Sequence, residues 1–241
     1  HSYSSAASDV YKRQAQGEEV DLDRALTRFK SATLIRPQRL EAWRNLAYVY
    51  YQLNQEDRAI TAYQRVVLAD SIDVNSLYSL GVLYIKGDRY QEAERVLAKL
   101  SKIAPDHYDG HINLAVAQVR LENFERAEEN YQKAIASDPT RYSAHYNLGN
   151  LYWQQQKYTA ARDSYEQTLS LAPEDDDTLY NLAITHLALE DIEAAMPLLI
   201  QLSERMPDNA SIWRELGWIY AHKGMLEESK AAYAKEEALR Q

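Results

Sequence analysis

Five of the six prolines lie on one lattice. Pro37, Pro105, Pro139, Pro173 and Pro207 are 34 residues apart or, once, 68, with Ser71 at the skipped node. A fixed period of this size marks a repeat array, in which each unit is too small to bury a core alone and is stabilised by stacking on its neighbours. Function in such an array belongs to a surface rather than to a catalytic pocket.

Counting in 34s from Leu40 gives six units: 40–73, 74–107, 108–141, 142–175, 176–209 and 210–241. Position 7 is always leucine (Leu46, Leu80, Leu114, Leu148, Leu182, Leu216), and position 8 is always alanine or glycine (Ala47, Gly81, Ala115, Gly149, Ala183, Gly217). Position 20 is small, from Ala59 to Ser229, and position 24 is Tyr63, Leu97, Tyr131, Tyr165, Leu199 or Tyr233. Positions 4, 7, 8 and 11 fall on one helical face, as do 20, 24 and 27. Turn residues such as Gly87-Asp88 and Lys223-Gly224 separate the two sets. Each unit therefore reads as helix A, turn, helix B. A mid-helix glycine costs about 1 kcal/mol relative to alanine, so Gly81, Gly149 and Gly217 predict close approach of helix A to helix B. Proline at position 32 ends helix B. Acidic residues such as Asp175 and Asp176 then open the next helix A, where they suit the helix N-terminus.

Trp43, Leu46, Ala47, Tyr50, Ala59 and Tyr63, with the proline lattice, resemble the tetratricopeptide repeat, and Trp213, Leu216, Gly217, Tyr220 and Tyr233 resemble it again in the last unit. The resemblance covers 40–241 and reaches back to a partial repeat at 15–39, where Ala25, Phe29, Ala32 and Pro37 continue the lattice as a helix B. It implies an all-α fold, a right-handed α-solenoid of stacked antiparallel helix hairpins. Residues 1–14, HSYSSAASDVYKRQ, lie off the lattice and resemble read-through at the start of a bacterial metagenomic fragment. They are expected to be a disordered, non-native leader, with the native N-terminus missing. The polar Glu236-Glu237 pair makes the last helix B look like a natural end of the array. Departures are His111 and His145 at position 4, Gln118 and His186 at position 11, Ser229 at position 20, Thr168 and Glu236 at position 27, and Pro197 inside a helix B.

The resemblance also implies that helix A lines a concave groove, with positions 2, 5, 6, 9, 12 and 13 facing it. Position 6 carries Asn45, Asn113, Asn147 and Asn181. Amides recurring there suit the backbone of an extended peptide, similar to the asparagine ladder of O-linked N-acetylglucosamine transferases; the alternative is surface asparagines satisfied by their neighbours. Positions 5, 9 and 12 add Tyr48, Tyr51, Tyr78, Tyr146, Asn150, Trp153, Tyr180 and Trp218. With 19 tyrosines against 2 phenylalanines, the hydroxyl itself is in demand. Tyr146, Trp153 and Tyr180, with Asn147, Asn150 and Asn181, make the expected anchor cluster. Tyr50, Tyr84, Tyr152, Tyr220, Tyr63, Tyr131, Tyr165 and Tyr233 are assigned to core. A clamp for a peptide C-terminal carboxylate is not expected, because Asp109, Asp177 and Glu215 stand where basic groups would be needed.

No catalytic residue, cofactor site or metal site is expected. The chain has no cysteine, which excludes disulfides and thiolate chemistry, and it carries no phosphate loop, GxSxG or HExxH motif. His107 and His111 are four apart, but they read as a turn residue and a core residue rather than as metal ligands. The net charge of -9 argues against a nucleic-acid partner, and no apolar run approaches the length of a membrane span. The compartment, cytoplasmic or periplasmic, stays open. The expected function is a non-catalytic protein–protein interaction scaffold that holds a peptide or protein segment in its groove. The alternative is the substrate-recruiting arm of a larger multidomain enzyme such as a glycosyltransferase. A third expectation is self-association through the N-terminal repeat end, where a helix B without its helix A would expose an apolar face.

Overall fold

The computed structural model describes residues 21–240; the expectations for 1–14 and for the start of the partial repeat lie outside the described residues. Thirteen helices and no strand occur among the described residues. They form two compact units, one reaching Asn123 and one beginning at Phe124. The first holds α1 (Leu22–Ile35), α2 (Leu40–Gln52), α3 (Glu56–Ala69), α4 (Val74–Lys86), α5 (Tyr90–Ile103) and α6 (Tyr108–Arg120). The second holds α7 (Phe124–Ser137), α8 (Ser143–Gln154), α9 (Tyr158–Leu171), α10 (Asp176–Ala188), α11 (Ile192–Arg205), α12 (Ala210–His222) and α13 (Leu226–Leu239). Even-numbered helices are the A helices and odd-numbered ones the B helices, so each unit is a stack of helix hairpins.

The lattice explains the core. All six position-7 leucines are buried, as are all six residues at position 20. Each buried leucine contributes about 2 kcal/mol relative to an exposed one, and the array repeats that gain. A Cβ on Gly81 would sit 2.5 Å from Leu97, and one on Gly149 would sit 2.6 Å from the Tyr165 ring. Glycine at position 8 is thus the space in which the residue at position 24 packs.

The turn between helices A and B is also periodic, though glycine does not reveal it. Position 15 is left-handed in every unit: Asn54, Asp88, Glu122, Gln156, Glu190 and Gly224, with φ between 54° and 74°. Only the last is glycine, the residue this conformation favours. The N–H at position 16 then bonds the carbonyl at position 11 in all six repeats, as in Gln55 to Tyr50 and Lys157 to Tyr152, which closes helix A with a Schellman motif.

Most departures from the pattern satisfy a hydrogen bond. His111 Nε2 lies 2.7 Å from the Pro105 carbonyl oxygen, the place taken at Pro37 and Pro207 by the indole N–H groups of Trp43 and Trp213. Gln118 donates to Glu94, Thr168 to the Ser164 carbonyl and Ser229 to the Gly217 carbonyl. α11 runs unbroken through Pro197, which is exposed and lacks the N–H that would reach four residues back.

Three expectations are corrected. Tyr233 is exposed rather than core, because no described helix packs over α13 where the next A helix would lie. Tyr50, Tyr152 and Tyr220 are only half-buried, because their hydroxyl ends reach the rim between helices. Tyr152 donates to Glu128 there, and burial with that bond pushes its phenol up to about 12. On α1, Ala25 and Phe29 do not form an open apolar face; they are buried in one cluster with Leu46 and Val49.

Candidate functional site

The position-5, -6, -9 and -12 residues build a hollow in each unit. In the second, Asn150, Trp153, Tyr165, Tyr180, Asn181, Ile184, Leu187, Arg214 and Glu215 enclose about 380 Å³. In the first, Tyr48, Tyr51, Tyr63, Tyr78, Ser79, Val82 and Leu83 enclose about 300 Å³. The two occupy equivalent places on the lattice. Positions 9 and 12 of one repeat form one wall, positions 5, 6 and 9 of the next form the other, and the tyrosine at position 24 forms the floor. Each is a slot wide enough for one large side chain.

Four of the expected anchor residues, Asn150, Trp153, Tyr180 and Asn181, line the slot of the second unit. Tyr146 and Asn147 do not line it. Tyr146 stands beside it, its ring 6.3 Å from that of Tyr165, and Trp153 packs its indole 5.0 Å from Tyr158. Tyr165 serves both the core and the slot. It is 1% exposed, yet its hydroxyl donates to Asn150 Oδ1 at 2.7 Å and forms the slot floor. Burial pushes its phenol up, so it stays a neutral donor. Burial also raises Tyr180, with help from Glu215. At the rim, Arg214, the basic residue among those lining this slot, pairs with Glu215 at 2.7 Å.

The asparagines do not form a free ladder. Asn181 donates to the Tyr146 hydroxyl and to Asn150 Oδ1, each at 3.4 Å. Asn113 donates to the Tyr78 hydroxyl at 3.4 Å and to the Asp109 carbonyl at 2.9 Å. Among the described residues, Asn147 donates to the Ser143 carbonyl of its own helix and to no tyrosine. Asn45 is 8% exposed, because it shares the inward face of α2 with Ala42, Leu46 and Val49. Asn147, half-buried with its bond to Ser143, keeps accessible amide capacity, whereas Asn45 is buried and offers little.

The histidine pair is structural. His107, at the turn, is half-buried. Its Nδ1 caps α6 by accepting from the Gly110 N–H, and its ring lies 5.1 Å from that of Tyr78. With His111 held on Pro105, both rings already have structural roles.

Two tetratricopeptide repeat models match the sequence, one over 18–80 and 152–219, the other over 55–108 and 112–176. The chain belongs to the tetratricopeptide repeat family. Solved structures agree on the fold. A tetratricopeptide repeat protein from Parabacteroides merdae superposes with a TM-score of 0.70 at 17% identity, covering 99% of this chain and 93% of that one. YrrB, described as having an unusual peptide-binding site, gives 0.65 at 21% identity, covering 82% and 98%. MamA gives 0.66 at 22% identity, covering 71% and 94%. A curated relative, the BBSome complex member BBS4 homolog of Drosophila melanogaster, is 24% identical over 94 residues, which are 39% of this chain and 19% of that protein. Tetratricopeptide repeat proteins are in general protein–protein interaction scaffolds, and no helix of the described residues is long and apolar enough to cross a membrane.

Proposed function

We propose that this tetratricopeptide repeat array is a non-catalytic scaffold that binds an extended segment of another protein along its A helices. The observation that carries this reading is the slot of the second unit, whose lining sets the apolar side chains of Trp153, Ile184 and Leu187 beside Asn150, Asn181 and Tyr180. An apolar side chain seated there would gain about 1.5–3 kcal/mol from burial. Amides at the rim suit the ligand backbone whatever its sequence, as in other peptide grooves. Asn147, outside the slot lining but with unused donor and acceptor capacity, would extend that contact. YrrB, of the same fold, is described as a peptide-binding protein, which supports the same reading here.

The test is selection of a random peptide library on the wild-type chain, followed by affinity measurement on Trp153→Ala and Ile184→Asp. Binders with an apolar or aromatic anchor that lose at least about tenfold, or 1.4 kcal/mol, on both variants support the slot. Equal affinity for wild type and both folded variants contradicts it.

A further inference from the structure

The most exposed aliphatic side chains gather at one edge of the first unit. Leu34 and Ile35 end α1, Leu68 ends α3, and Ile72 follows it; they are 82%, 73%, 88% and 65% exposed. Leu34 and Leu68 hold the same lattice position, 29, in successive repeats. Elsewhere that position carries Lys102, Ala136, Ser170, Glu204 and Ala238, so the fold does not require leucine there. Two residues on, at position 31, stand Arg36 and Asp70. Arg36 is exposed and has no ion pair among the described residues. Asp70 uses one oxygen to accept from the Ile72 N–H and has no cation partner there.

We propose that this edge is the contact surface of a two-fold symmetric dimer, and that its occupant is the same edge of a second copy of this chain. The lattice makes the surface self-complementary. α1 and α3 are both B helices of one stack, so equivalent positions are offset by one repeat in either copy. A two-fold axis midway between them sets Leu34 of each copy against Leu68 of the other. The same axis sets Arg36 of each copy against Asp70 of the other. One operation therefore covers the aliphatic side chains and pairs both free charges twice. Four aliphatic side chains at about 100 Å² each give roughly 400 Å² of apolar surface per copy, close to the non-polar share of a standard interface of about 800 Å² per partner. The surface lies on B helices, apart from the slots, so the proposal is independent of peptide binding.

Sedimentation equilibrium of the full chain over a concentration series tests it. The mass should rise from 27.8 kDa toward twice that value. L34S/L68S should stay at the monomer mass with an unchanged far-UV circular dichroism spectrum. R36D alone and D70R alone should each weaken the dimer by at least about tenfold, because like charges then face each other. An equimolar mixture of R36D and D70R should dimerise again, since each chain supplies the charge the other needs. The double variant R36D/D70R should dimerise alone. A wild-type chain that stays monomeric at its highest concentration overturns the proposal. So does a dimer that survives L34S/L68S, or a mixture of the charge variants no more associated than its components.

Discussion

The amide of Asn181 reaches back one repeat to the hydroxyl of Tyr146, 35 residues earlier, and Asn113 makes the same contact with Tyr78. Position 6 of one repeat is thereby tied to position 5 of the repeat before it. The contact joins adjacent A helices on the face that would meet a ligand, so groove shape and array stability share these side chains. Asn147 stands outside the scheme. Asn147→Ala is expected to leave stability unchanged or raise it by about 0.5 kcal/mol, because alanine is the better helix former. Asn181→Ala is expected to cost about 0.5–1.5 kcal/mol, the usual net worth of a hydrogen bond. Urea denaturation of the two variants separates these outcomes, and a double-mutant cycle with Tyr146→Phe isolates the Asn181 contact.

Two glycines at the same lattice position should behave differently. Gly149→Ala gains helix propensity but drives a Cβ into the buried ring of Tyr165, at 2.6 Å. Overpacking of this kind costs about 1–3 kcal/mol. Gly217→Ala meets Tyr233 at 2.9 Å, and that ring is 39% exposed and free to shift. Its expected effect is within about 0.5 kcal/mol of zero, with strain offset by the roughly 1 kcal/mol propensity gain. Melting the two variants side by side checks the contrast.

The left-handed turn residues invite stabilisation. Gln156 and Glu190 hold φ of 59° and 61°, a conformation that costs a side-chain-bearing residue about 1–2 kcal/mol. Gln156→Gly and Glu190→Gly should each raise the unfolding midpoint in urea, by roughly 0.5–1 kcal/mol of stability after the entropy cost of glycine. Gly224→Ala, at φ 74°, should lower it.

His145 gives the fold a pH dependence of known sign. It is half-buried on α8, at position 4 of its repeat, and burial lowers its pKa below the ordinary histidine value. The unfolded chain therefore binds the proton more readily. The stabilising effect of neutral His145 is fully present above the unfolded pKa, near 6.5, and is lost as pH falls through the lower folded value. Leucine occupies this position at Leu77 and Leu179. His145→Leu should therefore reduce the loss of stability between pH 7 and pH 5, measured as the difference in urea midpoints.

Much of the fold is legible in the chain because its determinants are local and periodic. Leu46 through Leu216, the alternating alanine and glycine at position 8, and the proline lattice fix helix pairs whose ends match the 34-residue count. The turn conformation is less legible, since Glu122 and Gln156 sit where glycine or asparagine would have signalled it. The site is half legible. Trp153, Tyr180 and Asn181 follow from groove positions, but the role of Tyr165 depends on its hydroxyl emerging on the far side of a core position. The Tyr–Asn contacts depend on how successive A helices are offset, which composition at one position does not show. Asn45 belongs to the same sequence column as Asn181 and is buried all the same, beside Ala42, Leu46 and Val49.

The most direct measurement is a titration of the isotopically labelled chain with a selected peptide, followed through the tryptophan indole and asparagine amide signals. Binding in the slot should shift the Trp153 indole and the side-chain amides of Asn150 and Asn181. It should leave the Trp43 and Trp213 indoles, which are bonded to the Pro37 and Pro207 carbonyls, where they were. A peptide that binds while the Trp153 and Asn181 signals stay still contradicts a groove built on this slot.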